Sequence, residues 1–172
     1  MILIAIDPGK TGAIAWRTTG VSIVRFTPMP HSDAGILDVL QCLQGSDGEE
    51  SLCVTEKVGK MHGNPAMISG ILKLAEHYGA LKMSLTAVDI PLWKEVTPQS
   101  WMTFTAPGYP KGAGSGPRKK FIHNRVCQIY PETYRFGQST PCRIPLYAAD
   151  AFGILFWAEA NCTPWAQYNK GG

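Results

Sequence analysis

A chain of 172 residues, 45% apolar and 17% charged, has the size and make-up of one globular domain whose core needs no disulfide or metal staple. Its net charge of +3 permits nucleic acid as a partner without demanding it. Five scattered cysteines, none in a CxxC pair, exclude a zinc knuckle and argue against a disulfide framework.

Those cysteines point to a reducing compartment. The N-terminus has no basic flank with an apolar leader behind it, and no apolar run is long enough for a bilayer. The expectation is therefore an intracellular, cytoplasmic protein, an organelle or a virus-infected host being compatible with the same pattern. A single domain over 1–172 is expected, with no repeat or low-complexity tract.

Residues 2–7, 12–17 and 21–27 read as three consecutive strands. The first, Ile2-Leu3-Ile4-Ala5-Ile6, runs directly into Asp7, then Pro8-Gly9 and Gly12 form a tight turn without side-chain bulk. A carboxylate ending a buried strand is costly unless something cationic meets it, or it bonds its own turn. Met29-Pro30-His31 breaks the strand pattern. Ser32 or Asp33 can cap a helix that carries Ile36, Leu37, Val39, Leu40 and Leu43 at helical spacing.

After a polar loop, Ser51-Leu52-Cys53-Val54-Thr55-Glu56 repeats the opening pattern, a short apolar run that ends on an acid. A basic, glycine-bearing loop follows over 57–64. Asn64 or Pro65 opens a long helix with Met67, Ile68, Ile71, Leu72, Leu74, Ala75 and Tyr78 as a wide apolar face, which Gly79 can stop or interrupt. Leu92 to Val96 is a further strand. Thr97 and Pro98 start a short helix through Trp101. Residues 104–116, rich in Gly and Pro, form a loop long enough to suggest function.

Pro117 to Ile129 reads as a basic helix with Phe121, Ile122, Val126 and Ile129 inward; Tyr134 to Pro145 reads as irregular. The last helix, from Tyr147 to Ala158, is apolar nearly all round, yet carries Asp150 with no Lys or Arg near it in sequence.

Asp7, Glu56 and Asp150 are thus acids attached to hydrophobic elements. If the two strands are parallel neighbours, their carboxyl ends share the sheet edge where open α/β folds place ligands. Three carboxylates together raise one another's pKa, and a hard divalent cation reverses that penalty. Mg²⁺ or Mn²⁺ fits oxygen ligands of this kind, and a pair of such ions can promote attack of water on a phosphodiester.

Ile4-Ala5-Ile6-Asp7-Pro8-Gly9, Thr55-Glu56-Lys57, Val96-Thr97-Pro98-Gln99-Ser100-Trp101 and Ala148-Ala149-Asp150-Ala151 resemble, in order and spacing, the RuvC-type Holliday-junction resolvases, closest to their divergent phage, bacterial and chloroplast branches. The resemblance implies an α/β, ribonuclease H-like fold with a five-stranded mixed sheet flanked by helices. It also implies a homodimer, dependence on Mg²⁺ with Mn²⁺ as substitute, and paired nicks in four-way branched DNA. Asp7, Glu56 and Asp150 take the positions of three metal-binding acids. Lys119, with Lys120 in reserve, takes that of a lysine near the scissile phosphate. Two positions depart from the pattern. Tyr147 stands where a fourth ligand, Asp or His, is often found, and Met102 follows Trp101 where Lys is often found.

Lys111, Arg118 and Lys120 suit phosphate contacts at the mouth of the site. Lys57, Lys60, Met61 and His62 are placed to touch DNA near the junction, with Met61 or His62 as a wedge against an unstacked base and Tyr109 a weaker case. The surplus apolar surface of the helix from Met67 to Tyr78 suits burial against a second copy. The competing readings are a branched-DNA-binding protein without cleavage, a more general flap or three-way nuclease, and an actin-like or sugar-kinase-like ATPase module. The last lacks a Gly-Lys-Ser/Thr phosphate loop.

Overall fold

The computed structural model describes residues 1–45, 50–58, 68–109 and 114–169. Its strands are β1 (Ile2–Asp7), β2 (Ala13–Thr18), β3 (Val24–Pro28), β4 (Ser51–Glu56), β5 (Leu92–Val96), β6 (Thr133–Arg135) and β7 (Pro141–Cys142). Its helices are α1 (Asp33–Leu43), α2 (Ile68–Ala87), α3 (Pro98–Thr105), α4 (Ser115–Ile129), α5 (Ala149–Asn161) and α6 (Thr163–Asn169), with a 3₁₀ turn at Leu146–Ala148 before α5.

The strands form one sheet in the order β5-β4-β1-β2-β3-β6-β7. β1 lies antiparallel to β2 and parallel to β4, and β4 lies parallel to β5. The sheet is mixed and helix-flanked as expected, but it has seven strands rather than five. The extra pair, β6 and β7, falls in the stretch that read as irregular. Runs of three and two residues carry no measurable alternation; they are strands only because β3 offers a parallel edge to Thr133–Arg135.

Strand alternation divides the core into two. Ile2, Ile4 and Ile6 of β1, with Ile14, Trp16 and Cys53, pack against α1 and α2 through Ile36, Leu40, Leu81 and Leu85. Leu3 and Ala5, with Ala13, Ala15, Val54 and Val96, face α3, α4 and α5. The small side chains on this second face admit α5, whose Ala149, Ala151, Phe152, Ile154, Leu155 and Ala158 are all buried. Burial nearly all round explains why its sequence is apolar on every face.

The local signals behave as read. Ser32 caps α1, its side chain accepting from Gly35 N; Thr97 caps α3 in the same way, with Pro98 in the first turn. Two elements differ from expectation. α2 continues through Gly79 to Ala87, and its buried side chains are His77, Leu81, Ser84 and Leu85, while Ile68 and Leu72 are exposed. Neighbours one helical turn further on, Leu81 and Leu85, carry the helix past the glycine by packing on α1. On α4, Ile122 and Val126 point inward, but Phe121 is exposed and pairs with Tyr109 at 5.3 Å between ring centroids. The helical offset of 121 from 122 puts it on the outer face beside Arg118 and Arg125.

Candidate metal centre

The two-residue period of β1 places Asp7 on the same side as Leu3 and Ala5; that of β4 places Glu56 with Leu52 and Val54. Both acids therefore end their strands on the side that α5 covers. The register pairs Ile6 with Thr55, so Asp7 and Glu56 follow at the same sheet edge. Asp150, in the first turn of α5, completes the group from above.

The three acids act on one another electrostatically. Burial pushes the Asp7 carboxyl up to about 8, and the negative charges of Asp150 and Glu56 push in the same direction, while Lys119 opposes them. Glu56 is also raised, first by burial, with Asp150 adding; its hydrogen bond from Trp101 and the charges of Arg118 and Lys119 pull it back. Lys119 Nζ lies 3.1 Å from Asp150 Oδ2. Of the two neighbouring lysines, Lys119 faces the acids and Lys120 is exposed.

Trp101 is the residue in this site whose part the sequence did not disclose. Its indole Nε1–H donates to Glu56 Oε2 at 2.8 Å, and the ring is 1% exposed. The ring fits because Gly153 of α5 has no side chain: a Cβ there would stand 2.7 Å from Trp101 Cζ3. Thr105 Oγ1 donates to Gly153 O at 3.0 Å and ties α3 to α5 at the same level. The sequence signals for Trp101 were its place at the end of the Val96–Trp101 motif and a residue type that needs a partner for its N–H when buried.

By donor type and charge, Asp7, Glu56 and Asp150 fit a hard divalent cation: all donors are carboxylate oxygens, and the cluster is unfavourable without positive charge. As placed, no three His, Cys, Asp or Glu side chains among the described residues close around a single point. Glu56 is turned to the Trp101 indole and Asp150 to the Lys119 ammonium.

The remaining expected residues divide. Arg118 acts on Glu56 and so stands at the site's rim; Lys57 follows Glu56, is exposed, and acts on Glu95. Lys60, Met61, His62 and Lys111 lie outside the described residues. Tyr147, the possible fourth-ligand position, lines a neighbouring cavity with Lys10, His31 and Arg135, and the charges that act on its phenol are Arg135 and Cys142.

A mixed sheet with β1, β2 and β3 antiparallel, β4 parallel beside β1, and acids from β1, β4 and a following helix defines an α/β fold of the ribonuclease H-like kind. A solved structure agrees with that class. A structure described as Thermus thermophilus RuvC in complex with Holliday junction substrate superposes with a TM-score of 0.54 at 17% identity, covering 94% of this chain and 96% of that one. A second Thermus thermophilus RuvC structure matches at TM-score 0.47 and 17% identity over 93% and 96% of the two chains. A yeast mitochondrial Holliday junction resolvase matches at 0.46 and 11% over 98% and 78%. No protein-family model matches the sequence, and no curated protein matches it. The chain thus shares the RuvC fold along nearly its whole length. No helix among the described residues is long and apolar enough to cross a membrane.

Proposed function

We propose that this chain is a metal-dependent, structure-selective DNA endonuclease that resolves four-way junctions by paired symmetric nicks. The observation that carries the reading is that Asp7 and Glu56 end neighbouring parallel strands at one sheet edge, with Asp150 of α5 acting on both and Lys119 paired to it. The fold shared with a RuvC captured on a Holliday junction supports the substrate class.

Asp7, Glu56 and Asp150 would hold Mg²⁺ or Mn²⁺, with Asp7 as the common anchor. When bound, the metal supplies a water of lowered pKa and positive charge at the phosphate. The chain does the rest. The sheet fixes the Asp7 backbone between two strands. Trp101 sets the direction of Glu56. Lys119 holds Asp150 and would bring a second positive charge to the rim where a scissile phosphate would sit. Arg118, Lys120 and Lys57 provide backbone contacts that position the strand without reading sequence.

Paired nicks in a symmetric junction need two copies of the site, which a two-fold homodimer provides. The exposed Ile68 and Leu72 on α2 support this assembly. A second reading, branched-DNA binding without cleavage, is favoured by one observation: Tyr147 faces the cavity with Arg135 instead of adding a ligand.

The deciding experiment incubates labelled four-way, three-way and linear duplex DNA with the protein, with and without Mg²⁺ or Mn²⁺. Symmetric cuts in the four-way DNA, dependent on metal, are the expected result. Binding without cuts at any metal concentration selects the second reading; equal cutting of all branched forms selects the general nuclease.

Trp101→Phe gives a narrower check. It keeps an aromatic ring, though a smaller one, in the buried place and deletes the N–H, so the Glu56 carboxyl loses a bond that holds its pKa down. The affinity for Mn²⁺, read by electron paramagnetic resonance titration, is expected to fall about 10–100-fold, as for other residues that orient a metal ligand. An unchanged affinity removes Trp101 from the site.

A further inference from the structure

A cavity of about 350 Å³ opens beside the β1–β2 turn, lined by Lys10, Thr11, Gly12, Pro28, Met29, His31, Arg135 and Tyr147. Its polar members come from four separate parts of the chain. Lys10 follows β1, His31 precedes α1, Arg135 ends β6, and Tyr147 lies in the 3₁₀ turn before α5. Gly12 and Met29 are buried and joined by the Met29 N–H, which donates to Gly12 O at 3.1 Å, so the floor is fixed by backbone.

Lys10 and Arg135 are cationic, His31 is an imidazole, and no acid among the described residues lines the cavity. Among the described residues, none of the Lys10, His31, Arg135 and Tyr147 side chains has a hydrogen-bond or ion-pair partner. Asp33 and Lys10 both act on the buried His77, and no ion pair joins the two. Burial pushes the Tyr147 phenol up, so it remains a neutral donor. The exposed Lys10 and Arg135 side chains at the rim of a backbone-paired floor, with His31 and a phenol donor beside them, suit a phosphate group.

We propose that this cavity is a second phosphate-binding site, which grips one backbone phosphate of the nucleic acid next to the acidic centre. This rests on the nuclease reading and adds a defined anchor to it. The β1–β2 turn connects the two: Asp7 leaves β1 on one side, and Lys10 to Gly12 line the cavity on the other. A phosphate held here fixes the register of the strand relative to Asp7. In this view, position 147 serves substrate placement rather than metal binding.

The test measures junction affinity against salt by fluorescence anisotropy, in EDTA so that no strand is cut, for wild type and Lys10→Ala/Arg135→Ala. A second arm follows the melting temperature of both proteins in inorganic phosphate. The double variant is expected to bind about 10–100-fold more weakly, with the log–log salt slope reduced by about 0.9 for one lost phosphate. His31→Ala and Tyr147→Phe are expected to weaken binding by smaller steps. Unchanged affinity and slope in a double variant that melts like wild type overturn the proposal and leave the nuclease reading standing. Unchanged junction binding together with melting stabilised by phosphate in wild type alone assigns the cavity to a free anion and overturns the nucleic-acid source. Wild-type protein that binds no branched DNA overturns the parent reading, and this one with it.

Discussion

Asp7→Asn is expected to abolish strand cleavage while leaving four-way junction binding within a few-fold of wild type. The substitution keeps the shape of the side chain at the end of β1 and removes the charge on which the cluster is built. An anchor worth several kcal/mol of charge stabilisation translates to a loss of about 10³-fold or more in rate. Single-turnover cleavage of a labelled junction reads the first part; gel-shift binding in EDTA reads the second. Wild-type activity in this variant would remove Asp7 from the mechanism.

The same substitution has a signature in metal-free protein. Burial and the two neighbouring carboxylates hold the Asp7 carboxyl up at about 8, against an ordinary value of 3.8. Between those pH values the folded protein keeps a proton that the unfolded chain has released. Stability of the metal-free protein therefore falls as pH rises from about 4 to about 8, then levels. Asp7→Asn is expected to flatten this slope, and added Mg²⁺ to offset it in wild type, because the cation takes the proton's place. Thermal melts across that range in EDTA and in Mg²⁺ measure both effects. A slope that Asp7→Asn leaves unchanged would show that the charge is not buried against its neighbours.

Gly12→Ala is expected to have the largest effect on stability, without touching a charged group. A Cβ at position 12 would stand 2.0 Å from the Asp7 carbonyl oxygen and 3.2 Å from that of Gly9. Both are backbone atoms, one of them in β1 and the other accepting from Gly12 N at 3.0 Å, so no rotamer change relieves the clash. The turn must open, at a cost of about 3 kcal/mol or more. For a chain of this length that corresponds to a fall of about 6–12 °C in melting temperature. Gly20→Ala is the control: its φ is +74°, with nothing within 4 Å of the added carbon, and it is expected to cost only about 1 kcal/mol. Equal losses from the two would show that the close approach at Gly12 is not what holds the turn. Because that turn joins Asp7 to the Lys10 cavity, Gly12→Ala is also expected to impair both sites together.

Much of the α/β framework was legible because its elements are locally consistent. Ile2 to Ile6 and Ser51 to Glu56 are short, mainly apolar runs bounded by turn residues, and each is a strand, as is Leu92 to Val96. Ser32 and Thr97 cap helices as their side-chain chemistry requires. Where packing overrides local pattern, reading along the chain fails. Gly79 sits within α2 because Leu81 and Leu85 bind the next turns to α1. Phe121 looks like a core residue by type, and its place on the helix turns it out against Tyr109. β6 and β7 exist only because a strand edge was available to them.

What this sequence determined alone is which acids stand on apolar elements: Asp7 and Glu56 end apolar strands and Asp150 sits in an apolar helix, places where an unpaired charge is costly. Tertiary structure alone decided how those acids are held. Lys119 reaches Asp150, Trp101 reaches Glu56 across 45 residues, and Tyr147 lies against a basic cavity. The physical reason is range. Burial and periodicity are properties of neighbouring residues and are written in local order, whereas an ion pair or a hydrogen bond between distant elements exists only once the parallel β1–β4 pairing and the docking of α5 have brought them within a few ångströms.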